Sequence, residues 1–242
     1  CKNDSICNRY YPNIKREFSF LMKRWKQKPI SYTYTDSAGR AQLLTIPWHA
    51  FQTKIRSLMY DPAGIRTIPY LVHEAWKGNL TPYIDLYAKR KQNDYSFAEG
   101  LYLCMTCTED VPFIRPSEIK PMTKKTFVDT YRIDQHLQAC QNWISGNTGD
   151  GFLQPVVSTI PTLILSGRFD PVTPTSWAKE IADKLPNSTL VIFPYMAHVV
   201  DGLSNEQCFD NLIIEFLNDP TKKVADPSCI KKMLPPDYKT SE

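Results

Sequence analysis

The chain has 242 residues, of which 42% are hydrophobic and 22% are charged, and this ordinary globular composition excludes a disordered chain. Its 29 lysines and arginines against 25 aspartates and glutamates give a net charge of +4 that is spread along the sequence, so we expect no nucleic-acid partner. No apolar run approaches the roughly 18 residues of a membrane span, so we expect none. The chain begins at Cys1 instead of methionine, which suggests processing or excision from a longer protein.

Residues 1–95 are predicted to form a run of short amphipathic helices that covers a binding cleft as a cap. Apolar side chains recur at helical spacing in three stretches, and Thr81 followed by Pro82 is typical of the start of a fourth helix. A plain helical bundle explains the same periodicity equally well. The three apolar sets are Ile14, Phe18, Leu21, Met22 and Trp25; Phe51, Ile55, Leu58 and Met59; and Ile68, Leu71, Val72, Ala75 and Trp76.

Residues 96–242 alternate between strand and helix patterns. The apolar runs GLYLCMTC (100–107), PTLILSG (161–167) and STLVIFP (188–194) are predicted as buried strands. Helices are predicted over residues 123–139, after Thr173 as N-cap, and after the capping box of Ser204 and Gln207. This alternation predicts parallel crossovers in an α/β sheet.

The cysteines indicate an oxidising compartment, because seven of them are more than a reducing cytosol usually tolerates in exposed segments. Cys1 and Cys7 share a polar stretch, while Cys208 lies in the first turn of a predicted helix and Cys229 in a polar tail. We predict a disulfide within each of these two pairs, each contributing about 2–4 kcal/mol.

The remaining cysteines form a CMTC sequence at Cys104 and Cys107, followed by Cys140. A thioredoxin-like redox motif needs such a pair to open a helix, whereas this pair ends a predicted strand, where residues three apart face opposite sides. We therefore expect a Cys107–Cys140 bridge and leave Cys104 as a buried free thiol. The four histidines show no ligand spacing beside these cysteines, so no metal or cofactor is expected.

Two loops follow the carboxyl ends of predicted strands, where open α/β sheets hold their ligands. SGRFDPVTP carries Asp170, and PYMAHVV carries His198 after one more helix and strand. This order matches the last two members of an α/β-hydrolase triad, in which the aspartate orients the histidine and the histidine acts as general base. Either residue alone has an ordinary explanation, since Asp170 could cap a turn and His198 could lie on the surface. The pair favours the triad.

Several motifs resemble one family. SGRFDPVTP and its helix resemble the S/G-x-x-D-P-V-T-P segment of the tripeptidyl aminopeptidase branch of α/β hydrolases, which is related to proline iminopeptidases. IPYLVHEAWKGNLTP resembles the cap segment of this family, and LCMTCTED resembles its strand ending in T-C-x-D/E. Cys140 to Trp143 resembles a C-x-x-W motif, which supports the Cys107–Cys140 bridge, and residues 208–229 resemble the closing C…FL-x-D-P…S-C pattern.

The resemblance implies a secreted or periplasmic serine exopeptidase that releases single residues or short peptides from peptide amino termini. The implied fold is a partial α/β-hydrolase fold, with a helical cap over residues 1–95 and the carboxy-terminal part of the core, with its last three parallel strands and covering helices, over residues 96–242. Its nucleophile would lie in G-x-S-x-G. The nearest match, Ser204, has Gly202 before it but Glu206 after it. We therefore expect the serine to lie outside this chain and the chain alone to be inactive.

The expected partners are a peptide substrate and a neighbour for the sheet. The innermost predicted strand would expose an apolar edge, which the amino-terminal half of the same hydrolase or self-association would cover. Glu109 and Asp110 follow the first predicted strand and could bind the α-amino group of a peptide, although a solvated loop acid explains them equally well. An esterase of the same fold and a non-catalytic peptide-binding relative are the alternative functions.

Overall fold

The computed structural model describes residues 1–36, 38–90, 97–222 and 227–240, which form two compact units. The first unit comprises Cys1–Phe18, Ile55–Lys77 and Gln154–Glu242, and the second comprises Ser19–Lys54 and Gly78–Leu153. The predicted division between residues 95 and 96 lies outside the described residues, so it stays a prediction.

Ten α-helices and four β-strands are present in the described ranges. The helices are α1 (Ser5–Tyr10), α2 (Ile14–Gln27), α3 (Trp48–Leu58), α4 (Pro62–Lys77), α5 (Thr81–Arg90), α6 (Glu99–Met105), α7 (Pro116–Thr123), α8 (Tyr131–Cys140), α9 (Thr175–Ala182) and α10 (Gln207–Asn218). The strands are β1 (Ile30–Thr35), β2 (Ala41–Ile46), β3 (Thr162–Gly167) and β4 (Ser188–Phe193). None of the helices described is long and apolar enough to cross a bilayer.

The four amphipathic helices predicted in the first 90 residues are present as α2 to α5, but a β-hairpin separates the first two. Strands β1 and β2 pair antiparallel from Ile30 opposite Ile46 to Thr35 opposite Ala41. The Asp36 carboxylate accepts hydrogen bonds from two backbone amides of the connecting turn. The sequence signal for the hairpin is the alternation of larger and smaller side chains in ISYTYT, and in the structure every second side chain of this strand is half-buried. An entirely helical cap is therefore wrong.

The first predicted strand is also wrong, because residues 100–107 fall in α6 and in the π-helical turn Thr106–Asp110 that follows it. A short apolar run fits a buried strand and a helix equally well by periodicity alone. The missed signal is Glu99, whose carboxylate in the first helical turn interacts favourably with the helix dipole. The predicted set of three parallel strands is consequently reduced to two in the described residues.

Cys104 lies on α6 and is exposed, which corrects its prediction as a buried thiol. The three predicted disulfides are present, at Cys1–Cys7, Cys107–Cys140 and Cys208–Cys229. Residues three apart share a face of a helix. The reason given for expecting no Cys104–Cys107 bridge, namely that the two side chains face opposite sides of a strand, is therefore wrong. Cys107 nevertheless bonds to Cys140, as predicted. Of the helix predicted over residues 123–139, only the second half is present, in α8, because α7 ends at Thr123 and residues 124–130 form turns and bends.

The core of the second unit is aromatic. The ring centroids of Trp25 on α2 and Phe51 on α3 are 4.5 Å apart, and Phe51 also packs against Tyr83 on α5 at 5.3 Å. The buried indole N–H of Trp25 donates to the carbonyl oxygen of Ile46 at 2.6 Å. This bond ties the end of the hairpin to the helices and satisfies a polar group that would otherwise be buried without a partner.

The first unit is built around the parallel pair of β3 and β4. Their register runs from Thr162 opposite Ser188 to Gly167 opposite Phe193, and α9 connects the strands and packs against both. The buried side chains of β4 join those of the following loop and of α10 in one apolar cluster. Its members are Val191, Phe193, Met196, Leu203, Cys208, Leu212 and Met233. Both strands thus pack against the same apolar core.

The Cys208–Cys229 disulfide closes the larger of the two disulfide loops in the first unit, with a sequence separation of 21 residues. We expect the double variant Cys208→Ala/Cys229→Ala to lose roughly 3 kcal/mol of unfolding free energy, since a cross-link of this span restricts the unfolded chain. Urea unfolding followed by circular dichroism measures the loss. Cys104→Ser is the matched control, because this exposed thiol forms no bridge, and it should change stability by less than about 0.5 kcal/mol. An unchanged urea midpoint in the double variant would contradict the prediction.

Candidate active site

Two loops leave the carboxyl ends of the parallel strands, and main-chain hydrogen bonds hold them side by side. The aspartate loop (residues 168–174) follows β3, and the histidine loop (residues 194–203) follows β4. The amide of Arg168 donates to the carbonyl oxygen of Phe193 and that of Phe169 donates to Met196, both at 3.0 Å. The second bond extends the association of the strands beyond the sheet and into the loops.

The last residue of β3, Gly167, permits this approach. A Cβ atom at this position would collide with the backbone carbonyl oxygens of Met196 and Ala197. Any side chain would therefore push the histidine loop away from the end of β3. Glycine, which has no Cβ atom, is the residue type that fits at position 167.

Asp170 and His198 meet between these loops. The Nδ1 atom of His198 lies 3.0 Å from Oδ2 and 3.2 Å from Oδ1 of Asp170. The aspartate side chain is only 5% exposed, whereas the imidazole is 34% exposed. The carboxylate is thus enclosed by protein, while the histidine keeps access to solvent.

The aspartate loop itself satisfies the remaining acceptor capacity of Asp170. The backbone amides of Val172 and Thr173 donate to Oδ1 at 2.7 and 3.0 Å, and the Thr173 hydroxyl donates to Oδ2 at 2.7 Å. Asp170 therefore caps the turn and binds the histidine at the same time, so the two interpretations of this residue are compatible. Thr173, predicted as the N-cap of the next helix, instead binds Asp170, and α9 begins at Thr175.

The environment of Asp170 lowers its pKa. Burial alone would raise the pKa, but the hydrogen bonds from Thr173, from His198 and from the Val172 amide outweigh it. An ionised carboxylate only accepts hydrogen bonds, so the Nδ1 atom of His198 carries the proton. Nε2 is then the ring nitrogen that can accept a proton from a reacting group, which is the arrangement of a general base.

A corner between two helices anchors the histidine loop. Helix α3 ends at Leu58 and α4 begins at Pro62, and the carbonyl oxygen of Tyr60 between them accepts from the backbone amides of His198 and Val199 at 2.9 and 3.0 Å. No local sequence motif signals this anchor, because the carbonyl group of any residue can accept these bonds.

The other predicted site residues lie elsewhere in the chain. Glu109 is half-buried and Asp110 is exposed in the π-helical turn of the second unit, whereas Asp170 and His198 belong to the first. Their role in binding a substrate amine stays a prediction. Among the described residues, no serine hydroxyl hydrogen-bonds to His198, and no group of three or more His, Cys, Asp or Glu side chains could hold a metal ion.

The lowered pKa of Asp170 predicts a pH-dependent contribution to stability. A carboxylate whose pKa is lower in the folded state stabilises it above the unfolded value of about 3.9, and this contribution is lost as the pH falls through the folded value. We therefore expect the melting temperature of Asp170→Asn to lie below that of the wild type at neutral pH, with the gap shrinking below about pH 4. Thermal unfolding measured across this range tests the expectation.

The control for that experiment is Asp201→Asn, which removes an exposed carboxylate from the histidine loop. Its melting temperature should stay within about 2 °C of the wild type. A gap between wild type and Asp170→Asn that is independent of pH would contradict the assigned ionisation.

One family model matches part of the chain. Residues 125–229 match the family model described as TAP-like protein, within the α/β hydrolases. The matched range contains both loops and both side chains of the Asp170–His198 pair. Neither the curated proteins nor the solved structures yielded a significant match. Over residues 125–229, the chain is similar to the TAP-like family of α/β hydrolases.

Proposed function

We propose that this chain supplies the aspartate and the histidine of a Ser-His-Asp triad in a serine peptidase that releases single residues or short peptides from peptide amino termini. The observation that carries the proposal is the 3.0 Å contact between Asp170 Oδ2 and His198 Nδ1 at the carboxyl ends of two parallel strands. A buried ionised carboxylate behind a partly exposed imidazole suits proton transfer at Nε2.

In the proposed reaction, the Nε2 atom of His198 takes the proton of a serine hydroxyl while the serine oxygen attacks the scissile carbonyl carbon. Asp170 stabilises the resulting imidazolium through Nδ1 and remains ionised throughout. The imidazolium then gives its proton to the leaving amine as the C–N bond breaks. In the second half, His198 takes a proton from water while the water oxygen attacks the carbonyl carbon of the acyl-enzyme. The ester C–O bond then breaks, the imidazolium returns the proton to the serine oxygen, and the acyl group leaves as a carboxylic acid.

The serine of this triad is proposed to lie outside the chain, because no serine here stands in G-x-S-x-G. The sheet offers a place for the segment that carries it. Within the described residues β3 pairs only with β4, so the other edge of β3 can accept a further strand. The remaining strands of the hydrolase sheet are the proposed neighbour, and self-association is the alternative.

Substrate recognition is proposed to use a carboxylate, since an exopeptidase must bind the free α-amino group of its substrate. Glu109 and Asp110 are the proposed acids. The three disulfides support a secreted or periplasmic location, because such bridges persist mainly in oxidising compartments.

The triad is tested in the full-length hydrolase that contains this chain, with a fluorophosphonate probe and a peptide amide bearing a free amino terminus. We expect the probe to label one serine outside residues 1–242. His198→Ala should lower kcat on the order of 10⁶-fold because the nucleophile loses its base, and Asp170→Asn on the order of 10⁴-fold because the base loses its tautomer.

The matched control is His49→Ala, which removes a histidine from the second unit. It should leave kcat within about twofold, since His49 stacks on Tyr131 and has no part in the pair. Undiminished turnover in His198→Ala would overturn the proposed triad. No labelling of the wild type would favour a non-catalytic binder, and preference for esters or for blocked amino termini would favour an esterase.

The free edge of β3 generates a separate prediction about association. We expect the chain to form a 1:1 complex with the segment that carries the serine, because a further strand could pair with the edge of β3 that has no strand partner among the described residues. Light scattering of the chain alone and of the mixture measures this. A mass of 27.9 kDa for the chain alone excludes self-association, and the same mass in the mixture contradicts the proposed neighbour.

A further inference from the structure

We propose that the side chain of Tyr60 is a positioning residue for His198, holding the imidazole in the plane from which it can serve as base. This inference rests on the proposed role of His198 in the triad. Asp170 holds the ring through a single nitrogen, so a second contact is needed to restrict its tilt. The ring of Tyr60 provides that contact.

The position of Tyr60 is closely determined by the backbone of the α3–α4 corner. The amide of Gly64 donates to the Asp61 carboxylate at 2.6 Å, and a Cβ atom at Gly64 would collide with the carbonyl oxygen of Leu58. The corner is therefore tight, with Tyr60 at its tip. Its carbonyl oxygen, which accepts from two amides of the histidine loop, fixes the distance between the corner and His198.

The two rings contact each other directly. The centroids of Tyr60 and His198 are 5.2 Å apart, and the ring planes are nearly perpendicular, at 84°. Edge-to-face pairs in this distance range are favourable and orient both partners. The contact is strong enough to change the ratio of two ring orientations by a factor of roughly two to ten.

Arg56 supports the Tyr60 ring from one helical turn earlier. Its guanidinium carbon lies 5.3 Å from the centroid of Tyr60, within the range of a cation–π interaction. The tyrosine ring thus has a cation as one neighbour and the imidazole as another, and both side chains are half-buried. Its hydroxyl forms no hydrogen bond with the described residues, so the aromatic ring carries the proposed effect.

The test uses nuclear magnetic resonance of ¹⁵N-labelled histidine in the chain, without reliance on activity. At about pH 9, where an ordinary imidazole is neutral, long-range ¹H–¹⁵N spectra report which ring nitrogen carries the proton. His198→Asn assigns the signal among the four histidines. The wild type should show the Nδ1–H tautomer for His198, as the bond to Asp170 requires.

Three variants separate the ring from the rest of the residue. Tyr60→Leu keeps the carbonyl oxygen that anchors the loop but removes the ring, and we expect a mixture of tautomers at His198. Tyr60→Phe keeps the ring and should retain the single tautomer. Tyr195→Leu is the matched control, because it removes a tyrosine from the histidine loop that has no ring contact with His198.

The outcomes distinguish this inference from the proposed function. A single Nδ1–H tautomer in both the wild type and Tyr60→Leu overturns the positioning role and leaves the triad in place. A mixture already present in the wild type overturns the Asp170–His198 pairing and, with it, both proposals. In the full-length hydrolase, Tyr60→Leu should lower kcat about two- to tenfold with KM nearly unchanged, since misplacement of a base affects chemistry more than binding.

Discussion

The close approach of two backbones at the end of a parallel strand pair is the constraint on which the site depends. Gly167 ends β3 against the carbonyl oxygens of Met196 and Ala197, and the Phe169 amide bonds to the Met196 carbonyl. These contacts join the two loops through main-chain atoms. The backbone therefore places Asp170 and His198 close enough for their side chains to form the 3.0 Å contact. The apolar cluster beneath β4 keeps this backbone arrangement rigid.

The polar chemistry of the pair follows from that arrangement. A carboxylate that is 5% exposed would be costly if unpaired, yet Asp170 accepts bonds from its own turn and from His198. The resulting lowered pKa keeps it ionised, and an ionised neighbour determines which imidazole nitrogen carries the proton. Asp170 thus stabilises a local turn and orients the imidazole of His198 through the same carboxylate.

Sequence patterns predicted the two parallel strands of the first unit, where local chemistry and tertiary context agree. The runs at residues 161–167 and 188–194 are continuous, apolar and bounded by turn residues, and they form β3 and β4. Where periodicity is ambiguous the prediction failed. GLYLCMTC is as apolar as either strand, but Glu99 begins a helix there, and the alternating ISYTYT segment became a hairpin strand among predicted helices. An apolar run of this length carries too little periodicity to distinguish a helix from a strand.

By itself, the sequence determined that an aspartate and a histidine each follow an apolar strand, in the order of a hydrolase triad, and it predicted the Cys1–Cys7 and Cys208–Cys229 disulfides. These features are local or depend only on chain order, so they can be read without coordinates. Only the tertiary structure decided that Thr173 binds Asp170, that Gly167 admits the histidine loop, and that Tyr60 meets His198. Tyr60 is 138 residues from His198 along the chain, and contacts over such separations are created by packing.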